Sequence, residues 1–506
     1  VEPPVFGPTG CVPIVRYDRT IVSQLTDQYE WRDRACAVRT ASMVRSDPKG
    51  GHALEFSYAT GTTQRTVGAS PGVNSVNVPV GGFGYVVSHL ADANIAYRNN
   101  DDDSPLGSAL GNGYASVFAG AHHAIHQFTV NYPRWANWNG HDVRYDMPVT
   151  IQWLFRTGSD APVYAITFDL SAVPANAVVA DMRAPYGTMN FDGAARGTYG
   201  DVLGGVAWAD SYKFTSLATN GLTLNSGWTW NTPNTGPVYN NLWTKNVDAE
   251  IGTVATHVLR MMDGGGYNHG STGRGSSSAA GFRCTADSGL NNLAHTMPCA
   301  SNWSFQSANW SFYDALGNPY VNGTTNGKRF AWGSDWGTLG KASMTTVNGN
   351  VVKGHPRVSY SVFVVLDAHS KARTIGTAAQ VSVVNATTLS ASVGSVRTSG
   401  PAGVGRSDTM AYAPAGYSPV YSTWEVDAAG NAINLGIDVG GSDYLENPTF
   451  VIHDYTLANA PTQMTLDGIT LAANDGFFAS VRPGSQELWV TINAKMRGDG
   501  HRLVLP

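Results

Sequence analysis

The run Val149-Thr150-Ile151-Gln152-Trp153-Leu154-Phe155, the segment Arg156-Thr157-Gly158-Ser159-Asp160 and the run Val163-Tyr164-Ala165-Ile166-Thr167-Phe168-Asp169-Leu170 decide how this chain folds. Both runs are dense in β-branched and aromatic residues, which suit a pleated, packed surface better than a helix. The polar, glycine-bearing segment between them is a hairpin turn by composition. Two antiparallel strands are therefore expected, and the same style extends in both directions. Upstream, Ala53-Leu54-Glu55-Phe56-Ser57-Tyr58 and Gly84-Tyr85-Val86-Val87 belong to short runs with apolar residues at alternate positions, separated by glycine, proline and asparagine. Downstream, Asp181 to Gly193 and Gly205 to Phe214 repeat the pattern, and Arg357 to Asp367 and Val381 to Val393 read as further strands.

The run Ser399-Gly400-Pro401-Ala402-Gly403-Val404-Gly405 marks a boundary. Beyond it, short β-runs such as Thr449-Phe450-Val451-Ile452 and Glu487-Leu488-Trp489-Val490-Thr491-Ile492 are spaced by turns as in a β-sandwich. The sequence holds no nucleotide loop, coiled coil, solenoid repeat or long helix signal. The expected fold is all-β: a large antiparallel sandwich over residues 1–400, carrying any catalytic site, and a smaller C-terminal sandwich over residues 401–506.

Composition narrows the function. Of 506 residues only 14% are charged and the formal net charge is -5. No basic field exists to hold nucleic acid or an anionic membrane, and no stretch is long and apolar enough to span a bilayer as a helix. The 57 glycines, 22 tyrosines and 14 tryptophans suit turns and wet aromatic surfaces. The four cysteines pair most economically as Cys11–Cys36 and Cys284–Cys299, although three pairings are open. With no metal-type cysteine spacing, disulfides in a secreted or periplasmic protein are the simplest expectation. The opening Val1-Glu2-Pro3-Pro4 reads as though a signal peptide had been removed.

Residues Ala119 to Trp138, AGAHHAIHQFTVNYPRWANW, gather the parts of a site: His122, His123, His126, Tyr132, Arg134, Trp135 and Trp138. Imidazoles titrate near neutral pH, arginine fixes a carboxylate through two parallel hydrogen bonds, and indoles offer flat faces to sugar rings. Uronic-acid polymers are cut by β-elimination when one group neutralises the carboxylate, a base removes the adjacent proton and an acid protonates the leaving oxygen. Here His123 or His126 and Tyr132 or Tyr186 are candidates for base and acid. Arg134 or Arg183, and Asn131 or Asn190, are candidates for neutralising the carboxylate. Trp208 and Trp230 extend the aromatic supply. The second reading, hydrolysis, needs two carboxyl groups across the scissile bond, for which Asp181, Asp192 and Asp210 are the candidates. The third is a carbohydrate-binding protein without chemistry.

Bland readings compete with each of these. On a strand His122 and His126 share one face and His123 the other, so His122 and His126 form the natural metal pair. Completing such a site takes His141, His257 or His269, and a satisfied structural cluster is the alternative. Asn99-Asn100-Asp101-Asp102-Asp103 could supply oxygens to a structural calcium ion or be a solvated turn. No other cofactor is expected. Gly264 to Ser278 is a long glycine-serine loop, either a cover over a site or a flexible segment. The partner expected from all this is a polysaccharide.

Long antiparallel strands with aromatic-polar loops, followed by a smaller β-unit, resemble the large super-β-sandwich of galactose-mutarotase-like domains in bacterial polysaccharide lyases and glycoside hydrolases. The resemblance implies a carbohydrate-active enzyme. Many lyases with that sandwich carry a helical toroid that supplies catalytic residues; no helical domain is read here, and no catalytic residue transfers by motif.

Overall fold

In the computed structural model Val149 faces Phe168 and the pairing runs in register to Leu154 opposite Val163, so the hairpin forms as its sequence requires. Gly158 takes the positive φ of 85° that the connecting turn needs. The structure describes residues 2–21, 24–45, 53–69, 82–85, 113–138, 141–172, 174, 178–180, 186–191, 203–210, 213–216, 238–244, 246–256, 306–309, 329–333, 338–339, 357–398 and 414–506.

The fold is all-β, with antiparallel pairing throughout the described strands except where Thr423–Asp427 runs parallel to Thr449–His453, and with one α-helix among the described residues. The hairpin lies inside an eleven-stranded sheet, flanked by Arg357–Asp367 on one side and by the long strand His123–Trp138 on the other. A nine-stranded sheet packs on one face of it. The contact is aromatic: Tyr29 stacks on Phe155 with ring centroids 4.6 Å apart, and Phe56 and Phe83 meet Trp153 at 5.7 and 5.8 Å. Trp153, Tyr164 and Tyr29 are among the largest fully buried side chains, and burying such rings is the main apolar stabilisation of this layer.

The opposite face of the large sheet receives the C-terminal sandwich. Phe118, Ile125, Leu154 and Val163 form one core cluster with Val451 and Trp489. Those last two belong to a six-stranded sheet, which packs through Val426, Ile452 and Val490 against Leu435, Leu466 and Leu503 of a five-stranded one. Four sheet layers result. Strands Thr388–Val393 and Ser395–Val396 enter the five- and six-stranded sheets respectively, and Val5–Phe6 pairs with Ala494–Met496.

Gly394 makes the crossing between those two sheets. Its φ is +80° and a Cβ there would stand 2.4 Å from the Asp427 carbonyl oxygen. Gly394→Ala is expected to lower stability by about 2 kcal/mol or more, the left-handed conformation and the backbone clash adding. A urea midpoint unchanged from wild type would show that the crossing tolerates a side chain.

One expectation is corrected. Val381 to Val393 is not a single strand: residues Arg373–Ala386 form a helix and only Thr388–Val393 is extended. Thr374, Ala378 and Val381 are buried at helical spacing. The start carries no capping side chain of its own, since Ala372 stands at the N-cap. Glu250 of the neighbouring strand accepts instead, its Oε1 receiving the Thr374 amide and hydroxyl at 2.9 Å each. Gly252 permits this approach, because a Cβ there would meet Thr374 Oγ1 at 2.2 Å.

Cys11 and Cys36 form a disulfide. Residues 99–103, 264–278, Cys284 and Cys299 lie outside the described residues.

Candidate functional site

The strand His123–Trp138 begins one residue after His122, and that bend overturns the expected pairing of His122 with His126. His122 joins His123 against the C-terminal sandwich. The His122 Nε2–H donates to Asn474 Oδ1 at 2.7 Å and the Thr157 hydroxyl donates to Nδ1 at 3.0 Å. The Ser480 hydroxyl accepts the His122 amide at 2.8 Å and is hydrogen-bonded to His123 Nδ1 at 3.1 Å, while the Thr491 hydroxyl is hydrogen-bonded to His123 Nε2 at 2.9 Å. A neutral imidazole has one donor and one acceptor, and each of these rings uses both. His126 points to the other layer, its Nδ1 lying 3.3 Å from the Tyr29 hydroxyl and 3.6 Å from Asp27 Oδ2.

None of the three reaches a surface on which a polymer could lie: exposures are 1%, 0% and 0% for His122, His123 and His126. Burial lowers the proton affinity of all three, furthest for His123, where the charges of His122 and Arg156 add to it. The Asn474 and Asp27 contacts only partly oppose this at His122 and His126. Among the described residues no cluster of three or more histidine, cysteine or acidic side chains could hold a metal ion.

These folded-state values lie below the ordinary 6.5, so the unfolded chain binds more protons in acid and stability rises with pH. The contribution is complete above pH 6.5 and is lost as pH falls below it, by up to about 1.4 kcal/mol per pH unit for each histidine. Urea midpoints at a series of pH values should fall in this window; a flat profile would contradict neutral burial.

A second, longer hairpin, His123–Trp138 paired with His141–Arg156, gathers other chemistry in its distal half, toward Trp138 and His141. Pairing with His141–Arg156 sets Tyr132 opposite Met147, Arg134 opposite Tyr145 and Trp138 opposite His141. Opposed residues share a sheet face, and alternate positions of one strand do too. Tyr132, Arg134, Trp138, His141 and Tyr145 therefore occupy positions on one face. Trp135, opposite Arg144, is one residue out of phase and sits at a position on the other. Farther from Trp138 and His141 the first face carries Met147, Val149, Ile151, Trp153 and Phe155, all buried. Toward Trp138 and His141 the positions of that face are assigned by sequence to tyrosine, arginine, tryptophan and histidine rather than to the aliphatic residues of a continuing core. The strand's outer edge pairs with Gly113–Ala119 at Ala124 to Thr129 and with Val178–Ala180 at Ala136 and Asn137. Between them, residues 130–135 have no strand neighbour on that side among the described residues.

Strand geometry separates the expected constellation. Arg134 stands eight residue steps along the strand from His126, roughly 26 Å at the ordinary strand rise, so the histidines and the arginine cannot serve one reacting centre. Tyr186 and Asn190 lie in the nine-stranded sheet, opposite Gly333 and Arg329. Trp208 and Asp210 sit on Leu203–Asp210, six strand positions from His123–Trp138 in the large sheet, roughly 29 Å at the usual spacing. Asp181, Arg183, Asp192 and Trp230 lie outside the described residues, as do His257 and His269.

Sequence reading passed over Tyr145, although the alternation His141, Val143, Tyr145, Met147 was there to signal it. It also passed over Glu425 and Glu487, which flank His453 at 2.6 and 3.8 Å from its two ring nitrogens. Their distance in sequence gave no warning. No protein-family model matches the chain, and no curated protein matches it.

Proposed function

We propose that this is a secreted or periplasmic carbohydrate-active enzyme that cuts a uronic-acid polymer by β-elimination at the distal half of the long hairpin. The observation that carries this reading is the register placing Tyr145 opposite Arg134, with Tyr132 two residues away on the same face. Arg134 pairs with the uronate carboxylate and stabilises the charge that develops when the adjacent proton leaves. One tyrosine, as its phenolate, takes that proton. The electron pair of the broken C–H bond becomes the C4–C5 double bond, the C4–O bond breaks, and the second tyrosine protonates the departing oxygen. Trp138 and His141, nearer the tip, extend the surface along which the polymer lies. The Cys11–Cys36 disulfide supports an oxidising compartment, and no helix among the described residues is long and apolar enough to cross a membrane.

A panel of acidic and neutral polysaccharides tests the substrate class: acidic polymers alone should be shortened, giving fragments one water lighter than hydrolysis would. Cleavage confined to neutral glycans would overturn the reading. Register also separates the two indoles. Trp138→Ala should weaken polymer binding by about 1–3 kcal/mol, the value of a stacked ring, whereas Trp135→Ala should leave it within experimental error. Equal losses in titration calorimetry would place the polymer elsewhere.

A further inference from the structure

Arg156 ends the strand His141–Arg156 and lines a cavity of about 90 Å³ between the hairpin turn, the helix and the C-terminal sandwich. A guanidinium carries five N–H donors. Arg156 spends one, from Nη1 to the Ser422 carbonyl oxygen at 3.0 Å, and its Cζ lies 5.9 Å from the centre of the Phe363 ring. Among the described residues it makes no ion pair, although it is only 7% exposed. The fold treats neighbouring arginines differently: Arg39 meets Asp33 and Asp367, and Arg34 meets Asp160 and Glu446. Burial lowers the Arg156 pKa to about 10, so the group keeps its charge at neutral pH. An uncompensated buried charge is costly, and the cost is relieved when an anion enters.

The remaining wall defines what that anion carries. Phe363, Val381, Val384, Trp424 and Leu445 give the apolar part of the lining, and the two carboxylates that share the wall, Asp160 and Glu446, are both held by Arg34. The polar groups nearby are already engaged: the Asn447 amide donates to the Gly158 carbonyl, Gln380 bonds the backbone of Tyr444 and Glu446, and Thr449 bonds Thr491. A ligand rich in hydroxyls finds few partners, whereas a carboxylate on a short apolar body satisfies both ends. We propose that this cavity binds a small apolar monocarboxylate, its carboxylate held by the free N–H donors of Arg156 and its body against Phe363, Val381 and Trp424. The site is separate from the distal hairpin and does not depend on the polymer reading.

Butyrate and benzoate are suitable probes, with butyramide and benzamide as neutral isosteres and chloride holding ionic strength constant. Saturable binding by calorimetry and a rise of a few degrees in melting temperature are expected for the acids alone. Arg156→Gln should weaken binding about tenfold or more by removing the charged fork, and Val384→Phe, which fills the cavity and leaves Arg156 in place, should abolish it. Wild-type protein that shows no saturable binding would overturn the proposal whatever the variants do. So would equal affinity for the amides, or full affinity in a folded Arg156→Gln protein.

Discussion

Arg39→Ala is expected to destabilise the protein by about 3–5 kcal/mol, the range for removing one partner of a buried ion pair. Arg39 lies on Val38–Val44 of the nine-stranded sheet, and its guanidinium reaches the end of Arg357–Asp367 in the large sheet. Nε donates to Asp33 Oδ2 at 2.9 Å and Nη2 to Asp367 Oδ2 at 3.0 Å, with all three side chains nearly solvent-free. Nη1 donates to the Leu366 carbonyl, and the group lies over the Tyr58 ring. Burial works against its charge, but the surrounding Asp160, Asp33 and Asp367 outweigh burial and hold the proton more firmly than usual. Truncation leaves two buried carboxylates without their shared cation. Asp367 retains Lys371 and Arg373 nearby, so most of the loss should trace to Asp33. Adding Asp33→Asn to Arg39→Ala should therefore recover part of the stability in a double-mutant cycle. A loss under about 1 kcal/mol, as for an exposed pair, would show that this group does not tie the two sheets together.

The largest expected effect on activity belongs to Arg134. On the proposed mechanism Arg134→Ala lowers kcat/KM toward the acidic polymer by about 10²–10³-fold, as removal of a preorganised partner for developing charge does elsewhere. Tyr145→Phe removes a proton-transfer group and should cost about 10²–10⁴-fold. Because the two stand opposite each other and serve one step, the double variant should lose far less than the product of the single losses. His123→Gln, by contrast, changes a buried group held by Ser480 and Thr491. It should lower stability while leaving the kcat of the folded fraction near wild type. Loss of kcat in His123→Gln with unchanged stability would return the chemistry to the histidines.

Much of the architecture was legible because its cause is local. Alternation and β-branched residues in 149–155 and 163–170 signal strands wherever they sit, and the register follows from a short turn. The helix was not legible, because the residue that caps it is Glu250, over a hundred positions upstream. Nor could the sequence show that a bend at His122 turns two adjacent histidines toward the same layer. The polar residues from His122 to Trp138 read as one cluster in sequence, but a single strand, His123–Trp138, carries them away from the buried histidines. What composition could not supply was the partner strand, whose register sets the position of Tyr145 opposite that of Arg134.

The most direct test of the proposed chemistry is to follow absorbance at about 235 nm and new reducing ends together as the protein acts on a polyuronate, since base-led elimination leaves a conjugated double bond. The account predicts one unsaturated end for each reducing end formed, at a rate that collapses in Arg134→Ala. Reducing ends without absorbance would establish hydrolysis, and tight binding with neither signal would leave a carbohydrate-binding protein; either result contradicts elimination at the Tyr132–Arg134–Tyr145 face.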